Sequence, residues 1–566
     1  MIHNDRDKLR SEIVSLIEKY GKNRSSLIPV LQEIQKNYSY ISEYAMQIIA
    51  DILNIHPVEV YGVVSFYSFL DEKPKGKFMI RLCRSLSCDF AGKNAIARQL
   101  ENELGIKFGE STEDGKFSLE WTNCLGMCDQ GPAMMVNDQI FVKLTPAKAH
   151  DIIEGCKKVF GPHAMQKMQV LRSNVEESRA KLTFDKIDSN AVIEKLLSMK
   201  RSEVIDEIIK SGLKGRGGAG FPTGIKWNLT ASAKDENKFV VCNADEGEPG
   251  TFKDRTLMTR YADLLFTGMI VAGYAVGAKK GYLYLRGEYT YIRDMLEKVM
   301  EERRKNGFLG KIKSADFSFD IEIRMGAGAY VCGEETALIE SLEGFRGEPR
   351  NRPPFPVDTG FQGHPTTVNN VETLLWAAAI IGNGADWFKK FGTEKSPGLK
   401  ILSISGDCKK PGIYEYPFGV KISKILKDVG AEDAKAVQIG GASGQCIPAK
   451  NFERAIAFED IATGGSVIII GPNRCMTSVA HNFLEFFVDE SCGQCNPCRL
   501  GTVKLLETVE KLMECKCSIE HLNEVLKLGE TMQLASKCGL GQSAPNAFIS
   551  IADNFKDEIM GHCSSN

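Results

Sequence analysis

Seventeen cysteines are spread along this chain of 566 residues, and eight of them stand at spacings that could bind metal. The first group is Cys83-x4-Cys88 with Cys124-x3-Cys128. Two cysteine pairs, each at the exit of a strand, can place four thiolates around one small iron–sulfur cluster. Zinc also takes four thiolates, but usually through C-x2-C pairs, and a thioredoxin-type dithiol needs C-x-x-C. Neither spacing occurs in this segment. The second group, Cys492-x2-Cys495-x2-Cys498 with one distant cysteine, is the arrangement of a [4Fe–4S] cluster. A zinc site would more often show two separated C-x2-C pairs. The candidates for the fourth ligand are Cys515, Cys517, Cys538 and Cys563. Cys515 and Cys517 end an amphipathic run beside Lys516, and Cys563 lies in a polar tail expected to fray. Cys538 precedes Gly539-Leu540-Gly541, where backbone N–H groups can approach cluster sulfurs. Cys538 is therefore assigned, with Arg499 as a nearby positive charge.

Glycine-rich stretches supply a second kind of chemistry. Gly215-Arg216-Gly217-Gly218-Ala219-Gly220-Phe221-Pro222-Thr223-Gly224-Ile225-Lys226-Trp227 lets backbone N–H groups come close to a ligand, with two cations nearby. Such a loop suits a phosphate, or is a surface turn. It is neither a G-x-x-x-x-G-K-[ST] loop nor a Rossmann fingerprint, since no apolar strand leads into it. The acidic turn Asn243-Ala244-Asp245-Glu246-Gly247-Glu248 directly follows an apolar strand. A second glycine turn, Gly326-Ala327-Gly328-Ala329-Tyr330-Val331-Cys332-Gly333-Glu334-Glu335, runs into a helix.

Together these three stretches resemble the NADH-oxidising flavoprotein subunit of respiratory complex I, over about residues 190–550. They resemble equally the diaphorase subunits of soluble NAD-linked hydrogenases and formate dehydrogenases. The first cysteine group resembles the thioredoxin-like [2Fe–2S] subunit of complex I, over about residues 8–158. The resemblance implies that the flavin is FMN. Gly215, Arg216, Gly217, Gly218 and Lys226 would hold its phosphate side. Asn243, Asp245 and Glu246 would face its ribityl chain and ring, and Tyr330, Gly333, Glu334, Asn369, Asn370 and Thr373 would complete the pocket. Phe221 and Phe355 match aromatic positions that sandwich the adenine of NAD(H), and Glu248 and Glu335 match acidic contacts to the dinucleotide. Leu229 stands where some members carry a third aromatic. Arg352 stands where complex I members often have lysine, which leaves NADP open. The complex I pattern also places its fourth [4Fe–4S] cysteine in the setting of Cys538.

These parts make one kind of enzyme. A nicotinamide gives up two electrons as a hydride, iron–sulfur clusters take one at a time, and a flavin does both. The expected function is an NADH-dependent oxidoreductase, a diaphorase subunit serving a partner hydrogenase or formate dehydrogenase through a small iron–sulfur subunit. Ferredoxin by electron bifurcation is a further partner to consider. The alternatives are a peripheral-arm subunit of complex I and a non-enzymatic iron–sulfur scaffold. No catalytic acid or base is named.

The elements that must position these residues read as a multidomain α/β and α+β chain. Residues 1–75 are a helical bundle, with Ser26 and Ser42 as caps and Pro57 in a first turn. Residues 76–158 form a thioredoxin-like [2Fe–2S] domain with a hairpin at Asn137-Asp138. A charged linker, 159–188, leads to the FMN/NADH-binding domain, 189–396. A β-grasp domain, 397–470, reads as a spacer without chemistry, and a helical [4Fe–4S] domain fills 471–566. The formal net charge of −2 shows no basic excess that would suit nucleic acid. The longest apolar run, Gly268 to Ala278, is too short to span a bilayer. With a polar N-terminus, a soluble cytoplasmic protein is expected.

Overall fold

The computed structural model describes residues 3–158, 175–176, 178, 180–312 and 316–563. Of the expected linker, residues 159–174, 177 and 179 lie outside the described residues, as do the last three of the polar tail.

The chain begins with four helices, His3–Tyr20, Leu27–Tyr38, Glu43–Leu53 and Pro57–Val64. Leu27, Val30, Leu31 and Ile34 recur on one face of the second helix and are all buried. Ser42 caps the third helix by accepting from the Ala45 N–H at 3.2 Å. Ser26 does not cap the second: it is buried, and its hydroxyl donates to the Tyr20 carbonyl at 2.8 Å.

A four-stranded sheet follows, made of β1 (Phe78–Cys83), β2 (Phe117–Thr122), β3 (Met134–Val136) and β4 (Gln139–Phe141), in the order β2-β1-β3-β4. β1 and β2 run parallel, so both deliver their carboxyl ends, and the cysteines beyond them, to the same edge. The hairpin turns at Asn137, which takes a positive φ of 51°. That conformation suits asparagine.

The third unit is built on the sheet β7-β8-β6-β5-β9, comprising β5 (Phe239–Ala244), β6 (Lys280–Leu285), β7 (Gly310–Lys311), β8 (Ser318–Met325) and β9 (Thr366–Asn370). β5, β6, β8 and β9 are parallel, and only the short β7 is antiparallel. The apolar run 268–278 falls mostly in the helix Ala262–Val276, which is buried almost all round. It packs so closely on the helix Val371–Asn383 that a Cβ at Gly268 would lie 2.2 Å from the Leu374 carbonyl oxygen. No helix among the described residues is long and apolar enough to cross a membrane.

A second five-stranded sheet, β11-β10-β16-β13-β14, forms the next unit: β10 (Leu399–Gly406), β11 (Gly412–Pro417), β13 (Ala436–Ile439), β14 (Gln445–Pro448) and β16 (Ser466–Ile470). The short strands β12 (Val420–Lys421) and β15 (Ala455–Ile456) pair with each other beside it. One amphipathic helix, Ile422–Val429, covers the sheet with Ile422, Ile425, Leu426 and Val429. From Met476 onward the chain is helical, with the long helices Met476–Glu490, Asn496–Met513 and Ile519–Ala535 and three shorter ones.

Candidate functional site

The expected flavin residues gather at the carboxyl ends of the parallel strands, where open α/β sheets bind ligands. β5 ends in Asn243 and Ala244, β9 in Asn369 and Asn370, and β8 runs into the turn that holds Tyr330 and Gly333. Side chains tie these loops together. Asn243 Nδ2 donates to the Gly333 carbonyl at 2.8 Å, and the Asp245 N–H to Asn243 Oδ1 at 3.1 Å. The Trp227 indole, fully buried, donates to Asn369 Oδ1 at 2.9 Å. Lys226 Nζ donates to Glu335 Oε2 at 2.9 Å and to the Val368 carbonyl at 3.2 Å.

The glycine loop lies between the helices Arg201–Ser211 and Thr223–Ser232, so no strand feeds it. It closes on itself through the Gly215 N–H and the Phe221 carbonyl, 2.9 Å apart. Gly218 has a φ of 126°, open only to glycine without strain. Among the described residues, the N–H groups of Gly217, Gly218, Ala219 and Gly220 meet no acceptor in the protein. A row of unspent donors at a loop of this kind fits a phosphate. Asp245 Oδ2 is buried without a hydrogen-bond partner, and burial pushes its carboxyl well above the usual range. A polar ligand group would satisfy it. Both observations fit FMN.

Several residues expected to touch the flavin are spent elsewhere. Arg216 is buried, with its guanidinium donating to the carbonyls of Lys214 and Pro397 at 3.2 and 3.3 Å and lying 4.7 Å from the centre of the Phe418 ring. Its charge is turned away from the loop, and burial draws it down to about 10. Thr373 accepts from the Arg216 N–H at 2.9 Å and braces the loop from beneath. Glu246 caps the helix Lys253–Arg260, taking the Asp254 and Arg255 N–H groups at 2.7 and 3.0 Å and the Tyr289 hydroxyl at 2.9 Å. Burial raises its carboxyl to about 7. Glu334 likewise caps the helix Glu335–Leu342 through the Thr336 and Ala337 N–H groups, both at 2.9 Å.

Beneath the loop lies a buried charge cluster that sequence reading missed. Glu372 pairs with Lys253 at 3.1 Å and with Lys400, and Lys253 also pairs with Asp254 at 2.6 Å. Asn370 joins it, receiving Lys253 Nζ at 3.1 Å and donating to Asp254 at 2.6 Å. Lys400 comes from β10 of the second sheet and reaches the carbonyls of Arg216 and Gly464 at 3.2 and 3.0 Å. Burial works against the charge of Glu372, but the two lysines and Arg216 win and hold its carboxyl at about 2. Burial draws the Lys400 ammonium down to about 7 against the pull of Glu372. Lys253 and Asp254 follow the acidic turn, so their nearness in sequence is a usable signal. Nothing local marks Lys400.

Phe221 and Phe355, expected to meet the dinucleotide, are 47% and 49% exposed, and Ile225 and Leu229, one turn apart on the helix Thr223–Ser232, are exposed as well. Lys226 Nζ lies 5.9 Å from the centre of the Phe221 ring. Glu248 accepts from the Tyr330 hydroxyl at 2.6 Å. Arg352 lies 3.7 Å from Glu334, so an acid already answers its charge.

The first cysteine group closes as a buried set. Cys83 ends β1, Cys88 sits in the short helix Leu86–Phe90, and Cys124 and Cys128 follow β2. The Cys124 and Cys128 sulfurs are 3.2 Å apart, and the Gly126 N–H points at the Cys124 sulfur from 3.4 Å. Hydrogen bonding from Cys88, then from Ser85, holds the Cys83 thiol down at about 6, although burial opposes it. The Cys124 thiol is lowered as well, chiefly by hydrogen bonding from Cys128, and an all-thiol set with two members inclined to ionise fits an iron–sulfur cluster. The loop is docked on the flavin unit: Arg286 donates to the carbonyls of Glu246 and Cys124 at 2.7 and 2.9 Å, and Arg255 pairs with Asp129 at 3.1 Å.

The second group lines one small cavity, into which Cys492, Cys495, Cys498 and Cys538 all open. Cys495 and Cys538 each stand at the N-cap of a helix, Asn496–Met513 and Gly539–Ser543. Gly541 allows the close approach, since a Cβ there would lie 2.9 Å from that of Cys498. Cys515 is exposed, and Cys517 and Cys563 pair with each other across an isolated bridge. None of these three lines the cavity. Arg499 is bound to the Gly493 carbonyl and Asn496 at 2.9 and 2.6 Å. The cation at the cavity wall is Lys537 instead. Among the described residues, no three or more His, Cys, Asp or Glu are drawn together tightly enough for a single metal ion.

The two cysteine groups and the flavin loops meet at Glu490. Its carboxylate accepts from Asn123, next to Cys124, at 2.6 Å and from the Tyr330 N–H at 2.8 Å, and Cys492 follows two residues later. These sites define an oxidoreductase that joins a hydride carrier to one-electron centres.

Comparison with known proteins agrees module by module. The thioredoxin-like [2Fe–2S] ferredoxin family matches residues 13–157, the Nuo51 FMN-binding domain 208–379, and the NADH-ubiquinone oxidoreductase-F iron–sulfur binding region 478–562. The NAD-reducing hydrogenase HoxS subunit alpha of Cupriavidus necator is 42% identical over 562 residues, covering 97% of this chain and 93% of that one. The NADP-reducing hydrogenase subunit HndC of Solidesulfovibrio fructosivorans is 42% identical over 380 residues, covering 65% of this chain and 77% of that one. A chain in the crystal structure of an NAD+-reducing [NiFe]-hydrogenase in the H2-reduced state superposes with a TM-score of 0.89 at 36% identity, covering 95% of this chain and 92% of that one. The chain belongs to the family of the HoxS alpha subunit. It is an NADH-dependent oxidoreductase whose modules carry a [2Fe–2S] cluster, FMN and a [4Fe–4S] cluster.

Proposed function

We propose that this chain is the diaphorase subunit of a hydrogenase complex. It moves a hydride between NAD(H) and FMN, and exchanges single electrons with a catalytic hydrogenase subunit through a small iron–sulfur subunit. The observation that carries this reading is the 42% identity to the HoxS alpha subunit along 97% of the chain, which spans every module in the same order. The matching component of the Escherichia coli NADH-quinone oxidoreductase aligns with only 59% of the chain, which makes the complex I alternative the weaker one.

FMN, when bound, accepts two electrons as a hydride and releases them singly. The residues of this chain do the rest. Gly217 to Gly220 offer their free N–H groups to the phosphate, with Lys226 beside them. Asn243, Asp245 and Asn369 line the flavin side, and Arg216, Glu246, Glu372 and Thr373 hold the loops in place. Phe221 and Phe355 receive the adenine. Glu248 gives the dinucleotide side a negative character that disfavours an extra phosphate, and Glu335, paired with Lys226, adds the second acidic contact. Cys83, Cys88, Cys124 and Cys128 hold the [2Fe–2S] cluster, and Cys492, Cys495, Cys498 and Cys538 the [4Fe–4S] cluster.

The test is anaerobic purification of the tagged chain from the cells that make it. Hydrogenase subunits should co-purify, and the complex should reduce NAD+ with H2. A formate dehydrogenase or membrane-arm partner in their place would overturn the assignment.

A further inference from the structure

The β-grasp unit does more than separate its neighbours. Its turn 440–444 is pressed against Glu248 of the flavin unit. Ser443 Oγ donates to Glu248 Oε2 at 2.6 Å, and the Ser443 N–H to Oε1 at 3.1 Å. The Tyr330 hydroxyl completes the set on Oε2 at 2.6 Å. All three partners are donors, so they favour the ionised carboxylate against the burial that raises its pKa. The turn is fixed from behind as well, because Asn546, on the helix Asn546–Asn554, donates to the Ser443 carbonyl at 2.9 Å. The fit is close enough to demand glycine. A Cβ at Gly441, whose φ is 70°, would lie 2.4 Å from Glu248 Oε1.

A glutamate has three rotatable side-chain bonds, and only fixed partners hold it in one posture at low entropic cost. Two of the three donors here come from a single residue nearly two hundred positions away, in another unit of the fold. We propose that Ser443 is a positioning residue for the dinucleotide: it holds Glu248 in the posture in which Glu248 meets NAD(H), which makes the β-grasp unit part of the hydride site. This rests on the reading of Glu248 as a dinucleotide contact.

Steady-state NADH oxidation by the full chain with an artificial one-electron acceptor tests it, with FMN and iron content measured on each variant. Ser443→Ala removes a hydrogen bond to a charged group, and kcat/KM for NADH should fall about tenfold through KM, with kcat, FMN and iron retained. Ser443→Thr keeps both donors and should restore KM. Because both changes act on one contact, Ser443→Ala added to Glu248→Gln should cost little beyond Glu248→Gln alone. The proposal is overturned if Ser443→Ala matches the parent while Glu248→Gln is impaired, if the two effects add in full, or if Ser443→Ala loses FMN. If Glu248→Gln itself leaves NADH kinetics unchanged, the reading of Glu248 fails first and takes this proposal with it.

Discussion

The first cysteine group and the side chains of Phe221 and Phe355 are built in opposite ways. Cys83, Cys88, Cys124 and Cys128 are almost wholly buried, and the loops that carry them are pinned by Arg286 and Arg255. Phe221 and Phe355 are about half exposed, and no ring stacks on either among the described residues. On the function proposed above, the difference follows from how long each ligand stays. A resident cluster needs a dry pocket whose polar groups are already satisfied. A nucleotide that exchanges on every turnover needs an open apolar face it can find and leave, with the contact completed only on binding. The second cysteine group stands between these extremes: Cys498 and Cys538 are buried, while Cys492 and Cys495 are only half-buried. A cluster held there would have one side toward solvent.

Substitutions can break this comparison at its strongest point first. Cys538→Ser should abolish the [4Fe–4S] EPR signal and leave the [2Fe–2S] signal and the flavin in place. Cys515→Ser and Cys517→Ser should leave all three, and the assignment is wrong if either of them, and not Cys538→Ser, removes the signal. The open face comes next. Stacking of an aromatic side chain on a base is worth about 1–3 kcal/mol, so Phe221→Ala should raise the apparent KM for NADH about five- to a hundredfold with FMN retained. Unchanged steady-state kinetics would remove Phe221 from the nucleotide face.

Smaller effects sharpen the picture. On titration with hydrogen peroxide, the half-exposed [4Fe–4S] group should bleach about tenfold faster than the enclosed [2Fe–2S] group, because attack follows access to the sulfurs. Equal rates by EPR would erase the distinction between the two quartets. The least of the expected effects is nucleotide choice. Like-charge repulsion by Glu248, with Glu335 paired to Lys226, should favour NADH over NADPH by at least about tenfold, roughly 1.4 kcal/mol. Diaphorase assays showing NADPH equal or better would return Arg352 to the nucleotide site, free of Glu334.

Much of this site could be read from residue types and spacing, because those signals are local. The cysteine spacings, the three glycine-rich or acidic turns, and the order of the units all lie in short stretches of chain, and loop chemistry of that kind survives folding unchanged. The tertiary structure alone decided where long charged side chains point and which unit packs against which loop. Arg216 reads as a phosphate ligand in its glycine loop, yet it is drawn inward to two carbonyls and the Phe418 ring. Glu246 reads as a flavin contact and is spent capping a helix eight residues on. Arg499 stands next to Cys498 in the chain, but Lys537 stands next to the cysteines in space. Lys400 and Ser443 belong to a unit that sequence reading left without chemistry, and both reach the flavin unit across more than a hundred and fifty residues. For Arg216, Glu246 and Lys400 the physical reason is the same. A buried charge must find a partner wherever the packed core puts one, and the partner's distance along the chain does not enter that cost.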